Sequence, residues 1–297
     1  MRVAIIGLGL IGGSLGLALK QAGESGLDVV GYVRRQEVAS TALSSGVVDR
    51  VETSLVKTVR EADLVIIATP VLTIKDILSQ IANYLVPGCI VTDTASTKLQ
   101  VMKWAKEILP PAVTFIGGHP MAGKETFGIQ AAAGDLFRGC TYCLIPAEKA
   151  SLQAIEEMTK LVKKLEAVPF LIEAQEHDNL VAAVSHLPML VSAALVSATT
   201  RDPAWDRMSK LAASGYYGLS RLASGNPEVN ADICLSNREA ILRWIEQFIQ
   251  ELDKYRQLVT VGDKHLEQVL TEAKKARQDW LNKIADLPQS SDGSKKR

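Results

Sequence analysis

Two short segments carry the residue types best suited to redox chemistry on a small molecule. Gly7-Leu8-Gly9-Leu10-Ile11-Gly12 spells G-x-G-x-x-G directly behind the apolar run Val3-Ala4-Ile5-Ile6. In that context Gly7 permits a tight turn, Gly9 lets the backbone approach a pyrophosphate, and Gly12 lets a helix pack closely on the strand. Leu10 and Ile11 then open a helix whose N-terminus faces the phosphates. An acid about 20 positions further on would take the ribose 2′-hydroxyl of NAD. Val33 stands there instead, followed by Arg34 and Arg35, whose guanidinium groups suit a 2′-phosphate in charge and geometry. The expected cofactor is therefore NADP, with Thr69 and Pro70 as further contacts to it.

The second segment, Gly117-Gly118-His119-Pro120-Met121-Ala122-Gly123, brackets one histidine with glycine and proline, which predicts a shaped loop behind a strand. Imidazole accepts a proton near neutral pH, as oxidation of an alcohol by a nicotinamide requires, so His119 is the candidate general base. Two further segments have both a chemical and a structural reading. Ser96, in Asp93-Thr94-Ala95-Ser96-Thr97-Lys98, lies either near the nicotinamide or merely in a helix cap. Arg221, behind Gly215-Tyr216-Tyr217-Gly218, either grips a substrate carboxylate or is an ordinary exposed arginine.

The elements that must position these groups follow from periodicity. Short apolar runs at 2–6, 28–33, 64–68, 89–92, 113–116 and 140–144, with 168–171 as a last candidate, alternate with helical stretches at 11–22, 37–44, 72–84, 97–108 and 152–165. That alternation predicts an α/β fold, with a Rossmann-type doubly wound parallel sheet as the N-terminal domain, residues 1–172. An all-helical C-terminal domain is expected over 173–286, opening on an apolar stretch at 175–199 that Pro188 interrupts, and a disordered tail over 287–297. Ile241, Ile245, Phe248, Leu252, Tyr255 and Val259 form one helical stripe, continued by Leu266, Val269, Ala273 and Trp280. Such stripes serve packing within the domain or a contact between subunits.

Composition narrows the class. The 297 residues are 47% hydrophobic and 22% charged, with 33 basic against 33 acidic side chains. This excludes a disordered chain and argues against a basic surface for nucleic acid. The N-terminus shows no signal-peptide pattern, no run of about 18 uninterrupted apolar residues occurs, and the 4 cysteines are sparse, so a cytoplasmic location without membrane insertion is expected. Cys140 and Cys143 lie on a predicted strand, where packing explains them better than a metal, and no metal site is expected.

Taken together, these segments resemble the prephenate and arogenate dehydrogenases of tyrosine biosynthesis. The resemblance rests on the glycine run at 7–13, on Asp93 with Ser96 and Lys98, on the loop around His119, on Glu176-His177-Asp178 and Ser185-His186-Leu187-Pro188, and on Arg221 with Asn226-Pro227. It implies that His119 takes the C4 hydroxyl proton of the substrate ring, with Ser96 bonding that hydroxyl and helping to hold the imidazole. It also implies that Arg221 binds the ring carboxylate and that His186 lies near the side-chain end. Hydride leaves C4 for the nicotinamide, the ring carboxylate departs as CO₂, and the ring becomes aromatic. A homodimer joined through the helical domain is implied as well.

The chain departs from the family pattern at Tyr217, Gly218 and Asn230, and it has Met189 where many members carry a second histidine. Fewer basic groups at the side-chain end, together with the NADP signature, favour arogenate as substrate, with prephenate as the alternative. A β-hydroxyacid dehydrogenase is a more distant reading, weakened by the lack of any lysine from 165 to 209, where a catalytic lysine is expected. A non-enzymatic dinucleotide sensor would need no base in the crevice.

Overall fold

The structure, a computed structural model, describes residues 1–285 apart from positions 24 and 125, so the expected tail at 287–297 lies outside the described residues. The strands are β1 Arg2–Ile6, β2 Asp28–Tyr32, β3 Arg50–Glu52, β4 Leu64–Ile67, β5 Ile90–Asp93, β6 Thr114–Pro120, β7 Thr141–Pro146 and β8 Val168–Leu171. Between them run α1 Leu10–Gln21, α2 Gln36–Ser44, α3 Leu55–Val59, α4 Ile74–Ile81, α5 Leu99–Ile108 and α6 Leu152–Lys164. The order in the single 8-stranded sheet is β3-β2-β1-β4-β5-β6-β7-β8. The strand order reverses direction at β1 and β4, which opens a crevice beyond their carboxyl ends.

Alternation along each strand divides the core. Val3 and Ile5 of β1 and Leu64 and Ile66 of β4 face one layer with Leu15, Leu19, Ala42, Met158 and Val162, from α1, α2 and α6. Ala4, Ile6, Val65 and Ile67 face the other with Ile74, Leu78, Val101 and Trp104, from α4 and α5. Both faces are covered, as a parallel sheet requires.

The sheet is parallel except where β7 runs antiparallel to β6. Among the described residues, the 121–140 connection contains a 3₁₀ turn, Ile129–Ala131, rather than a covering helix, and the chain turns back instead of crossing over. The sequence expectation of a loop around His119 is corrected by the same pairing. Gly117, Gly118, His119 and Pro120 continue β6, with His119 opposite Cys143.

The helical part comprises α7 Ala174–Val181, α8 Leu187–Thr200, α9 Trp205–Met208, α10 Ser214–Ser220, α11 Pro227–Ser236, α12 Arg238–Val261 and α13 His265–Ala285. Pro188 does not break the 174–200 run. A π-helical turn, Ala182–His186, precedes it, and the Leu187 N–H reaches back to the Ala182 carbonyl. The wider turn absorbs the proline and re-aims His186 inward.

This 27-residue helix also has the length and composition of a membrane span, with 22% of its most apolar stretch buried. His177, Asp178 and His186 punctuate it, so it holds no run of about 18 uninterrupted apolar residues.

By packing, the chain falls into two compact units, one from Met1 to Ile241 and one beginning at Leu242. Residues 173–241 therefore group with the sheet rather than apart from it, because α7 is tied to β6 and α5 by the side chains described next. In the single chain, Leu252, Val259 and Trp280 of the predicted stripe are exposed, so packing within the domain does not account for them.

Candidate active site

The glycine loop joins β1 to α1 at the crevice. Gly7 has φ +99, and a β-carbon on it would lie 2.6 Å from the Ala68 carbonyl oxygen, whereas a β-carbon on Gly9 would meet nothing within 4 Å. The backbone is thus open at Gly9, and α1 begins there without a side-chain cap, so N–H groups at Leu10 and Ile11 remain for an anion. Gly12 packs so closely that a β-carbon would stand 1.9 Å from the Gly7 oxygen. Thr69, whose methyl group lies beside Gly7, and Pro70 are half-buried next to this turn. These features fit a dinucleotide pyrophosphate. Arg34 and Arg35 are exposed behind β2, and α2 starts at Gln36 with no side-chain cap.

Two strands along, β5 and β6 bring the chemical groups together. His119, 7% exposed at the end of β6, has Nδ1 2.9 Å from Nε2 of His177. His177 Nδ1 is in turn 2.8 Å from Oδ1 of Asp178. The Asp178 carboxylate also accepts the backbone N–H groups of Lys98 at 2.7 Å and Leu99 at 2.9 Å. It therefore caps α5, whose own first residues provide no side-chain cap.

This chain of bonds selects a tautomer. An acceptor-only carboxylate requires the proton on His177 Nδ1, which makes His177 Nε2 an acceptor for a proton on His119 Nδ1. The lone pair of His119 is then on Nε2, where it can receive a proton. Burial, followed by the neighbouring His177, Lys98 and His186, holds His119 well below the usual histidine range.

Beneath His119 lies a fully buried ion pair. The Lys98 amino group donates to Asp93 and, at 2.7 Å, to the Gly118 carbonyl, while Asp93 accepts from the N–H groups of Ala95 and Gly118. Burial lowers the Lys98 pKa against the pull of Asp93. Only glycine fits at 118, since a β-carbon would lie 2.4 Å from the Asp93 carbonyl oxygen.

On the helical side, the Asn237 amide donates to the Asp178 carbonyl at 2.7 Å and lies 3.3 Å from His186 Nδ1. With Nδ1 accepting, His186 carries its proton on Nε2, a buried atom with no hydrogen-bond partner among the described residues. Burial lowers the His186 pKa to about 4.

The network unites His119 and His186 and adds His177, Asp178, Lys98, Asp93 and Asn237, to which sequence reasoning gave no chemical role. Glu176-His177-Asp178 stood out in the family resemblance, and that was the available signal. Ser96 is half-buried in the same β5 to α5 loop, while the imidazole is held through Nδ1 by His177. Arg221 is exposed and begins the 3₁₀ turn Arg221–Ser224, which is tied to α8 by the Ala223 N–H donating to Ser192.

A mostly parallel nucleotide-binding sheet, a helical second part and a buried histidine at a strand end bonded to a second on a helix define an enzyme of the two-domain α/β class. The chain matches the family model for the prephenate dehydrogenase nucleotide-binding domain over residues 15–171 and that for the prephenate dehydrogenase dimerization domain over 173–285. It is 36% identical to the prephenate dehydrogenase of Bacillus subtilis, over 88% of this chain and 71% of that protein. Among solved structures, prephenate dehydrogenase from A. aeolicus in complex with hydroxyphenyl propionate and NAD+ superposes with a TM-score of 0.87 at 29% identity, covering 94% of this chain and 98% of that one. Synechocystis arogenate dehydrogenase superposes with a TM-score of 0.80 at 30% identity, covering 94% and 100%. The chain belongs to the prephenate dehydrogenase family and is an oxidoreductase of tyrosine biosynthesis with prephenate/arogenate dehydrogenase activity.

Proposed function

We propose that this enzyme oxidatively decarboxylates prephenate to 4-hydroxyphenylpyruvate with NADP, and that His119 is its general base. The observation that carries the reading is the buried His119, bonded through Nδ1 and free to accept a proton at Nε2, at the carboxyl edge of the sheet. The nicotinamide, when bound, accepts the hydride from C4. His119 takes the C4 hydroxyl proton, Ser96 bonds the same hydroxyl, and Arg221 holds the ring carboxylate until it leaves as CO₂. The buried Nε2–H of His186 suits an acceptor oxygen of the substrate, since an unmatched buried donor costs about 1–3 kcal/mol.

For the cofactor, Gly7, Gly9, Leu10, Ile11 and Gly12 cradle the pyrophosphate with Thr69 and Pro70 beside them, and Arg34 and Arg35 meet the 2′-phosphate. The A. aeolicus relative holds NAD+, so the preference for NADP rests on the two arginines and on Val33 in place of an acid. The order of substrates expected from the sequence changes. The Bacillus relative is a prephenate dehydrogenase, which favours prephenate. Arogenate is the second reading, supported by Met189, half-buried one helical turn beyond His186.

The exposed apolar side chains of α12 and α13, among them Leu252, Val259, Leu270 and Trp280, suit a homodimer through the helical part, as the dimerization model over 173–285 supports. A surface shared between two chains also explains the apolar 174–200 helix without a membrane.

Initial rates with each substrate against NADP⁺ and NAD⁺ test the reading. NADPH formed with prephenate is the expected result. Turnover of arogenate alone would replace the first reading with the second, and no turnover with either would overturn both.

A further inference from the structure

We propose that His177 and Asp178 are positioning residues that move the reaction's positive charge away from His119. The proposal rests on the reading of His119 as the base. As the substrate O–H bond breaks, its proton joins His119 Nε2. The proton on His119 Nδ1 passes 2.9 Å to His177 Nε2, while His177 Nδ1–H continues to donate to Asp178. One proton enters the chain and one shifts along it. His119 ends neutral, and the cation ends on His177, against a carboxylate that already accepts two backbone N–H bonds.

The surroundings of each ring explain the direction. From β6, His119 faces His177 on α7, the Lys98 amino group with Asp93 beneath it, and His186 on the π-helical turn; Cys143 is opposite on β7. The Cys143 thiol is raised to about 11 and stays neutral, so among these described residues Asp93 is the one anion beside His119, and Lys98 already engages it. A cation held on His119 would be desolvated and beside a buried lysine. One ring further, the same charge meets Asp178 at 2.8 Å. The two rings meet edge to face, with planes 70° apart, so the Nδ1 to Nε2 bond fixes their mutual orientation.

The experiment has two parts. The pH profile of kcat/KM is measured for wild type and His177→Gln with the more active substrate and cofactor. Glutamine cannot pass the proton on, so the cation must stay on the desolvated His119. The expected result is a kcat at least tenfold lower, a KM within twofold, and an acidic limb displaced to lower pH. An unchanged limb would overturn the proposal, whatever the loss of rate, because a purely structural role leaves the limb in place.

The second part needs neither turnover nor a folded variant. Long-range ¹H–¹⁵N spectra of the resting wild-type enzyme read the tautomers directly. The proton is expected on Nδ1 of both His119 and His177; a His119 protonated at Nε2 overturns the relay. Because this readout is independent of substrate, it separates failure of the relay from failure of the proposed activity.

Discussion

His177 Nε2 lies 2.9 Å from His119 Nδ1, and this contact joins the helical part of the chain to the end of a sheet strand inside one compact unit. The contact explains why His119, which has no carboxylate partner among the described residues, is nonetheless oriented. The carboxylate is one ring away and simultaneously caps α5, so the helix start, the strand end and the His119 ring are fixed by one set of bonds.

The buried histidines make stability depend on pH. His186 has a folded pKa of about 4 against an unfolded value of about 6.5. The unfolded chain therefore binds more protons between those values, and stability falls as pH drops through that window and is fully present above it. From this group alone the loss is about 3 kcal/mol between pH 7 and 4. Urea unfolding across this range is expected to show a shallower slope for His186→Asn than for wild type; equal slopes would contradict the burial of a neutral ring.

The Lys98 to Asp93 pair is a second structural commitment. Lys98→Met removes the cation and leaves a buried carboxylate against the Gly118 strand, which should cost about 3–5 kcal/mol in urea unfolding. A change below about 1 kcal/mol would mean that Asp93 is satisfied by its backbone donors.

Cofactor choice is expected to reside in Arg34 and Arg35. Replacing both with serine should raise the KM for NADP⁺ by roughly tenfold or more, because charge-assisted bonds to the 2′-phosphate are lost, and should leave the KM for NAD⁺ within about twofold. Equal effects on both cofactors would show that the arginines do not read the phosphate.

The stripe on α12 predicts association. Wild type is expected to run as a dimer in light scattering at micromolar concentration, and Leu252→Asp with Val259→Asp to run as a monomer, since both side chains are exposed in the single chain. A dimer that survives both substitutions would move the interface elsewhere.

Much of this arrangement was legible in the residues. The β1 to α1 glycine loop followed from its spacing behind an apolar strand, and β1 and β8 begin and end at the expected residues. The short β3 and α3, 3 and 5 residues long, were missed because neither completes enough repeats to show a period. His119 stood out as the candidate base but was placed on a loop, since Gly-Gly and Pro suggest a turn. Here they serve close approach to Asp93 and the antiparallel edge with β7. The roles of His177 and Asp178 were illegible because they depend on a contact across 58 residues. Pro188 looked like a helix break, yet its effect is a π-helical turn that buries His186.

The central claim, that His119 accepts the substrate proton, is tested most directly by single-turnover formation of NADPH from prephenate in wild type and His119→Asn, with cofactor affinity measured in parallel. The account predicts a rate at least about a hundredfold lower in the variant, with the dissociation constant for NADP⁺ near that of wild type. A variant within a few-fold of the wild-type rate would contradict it.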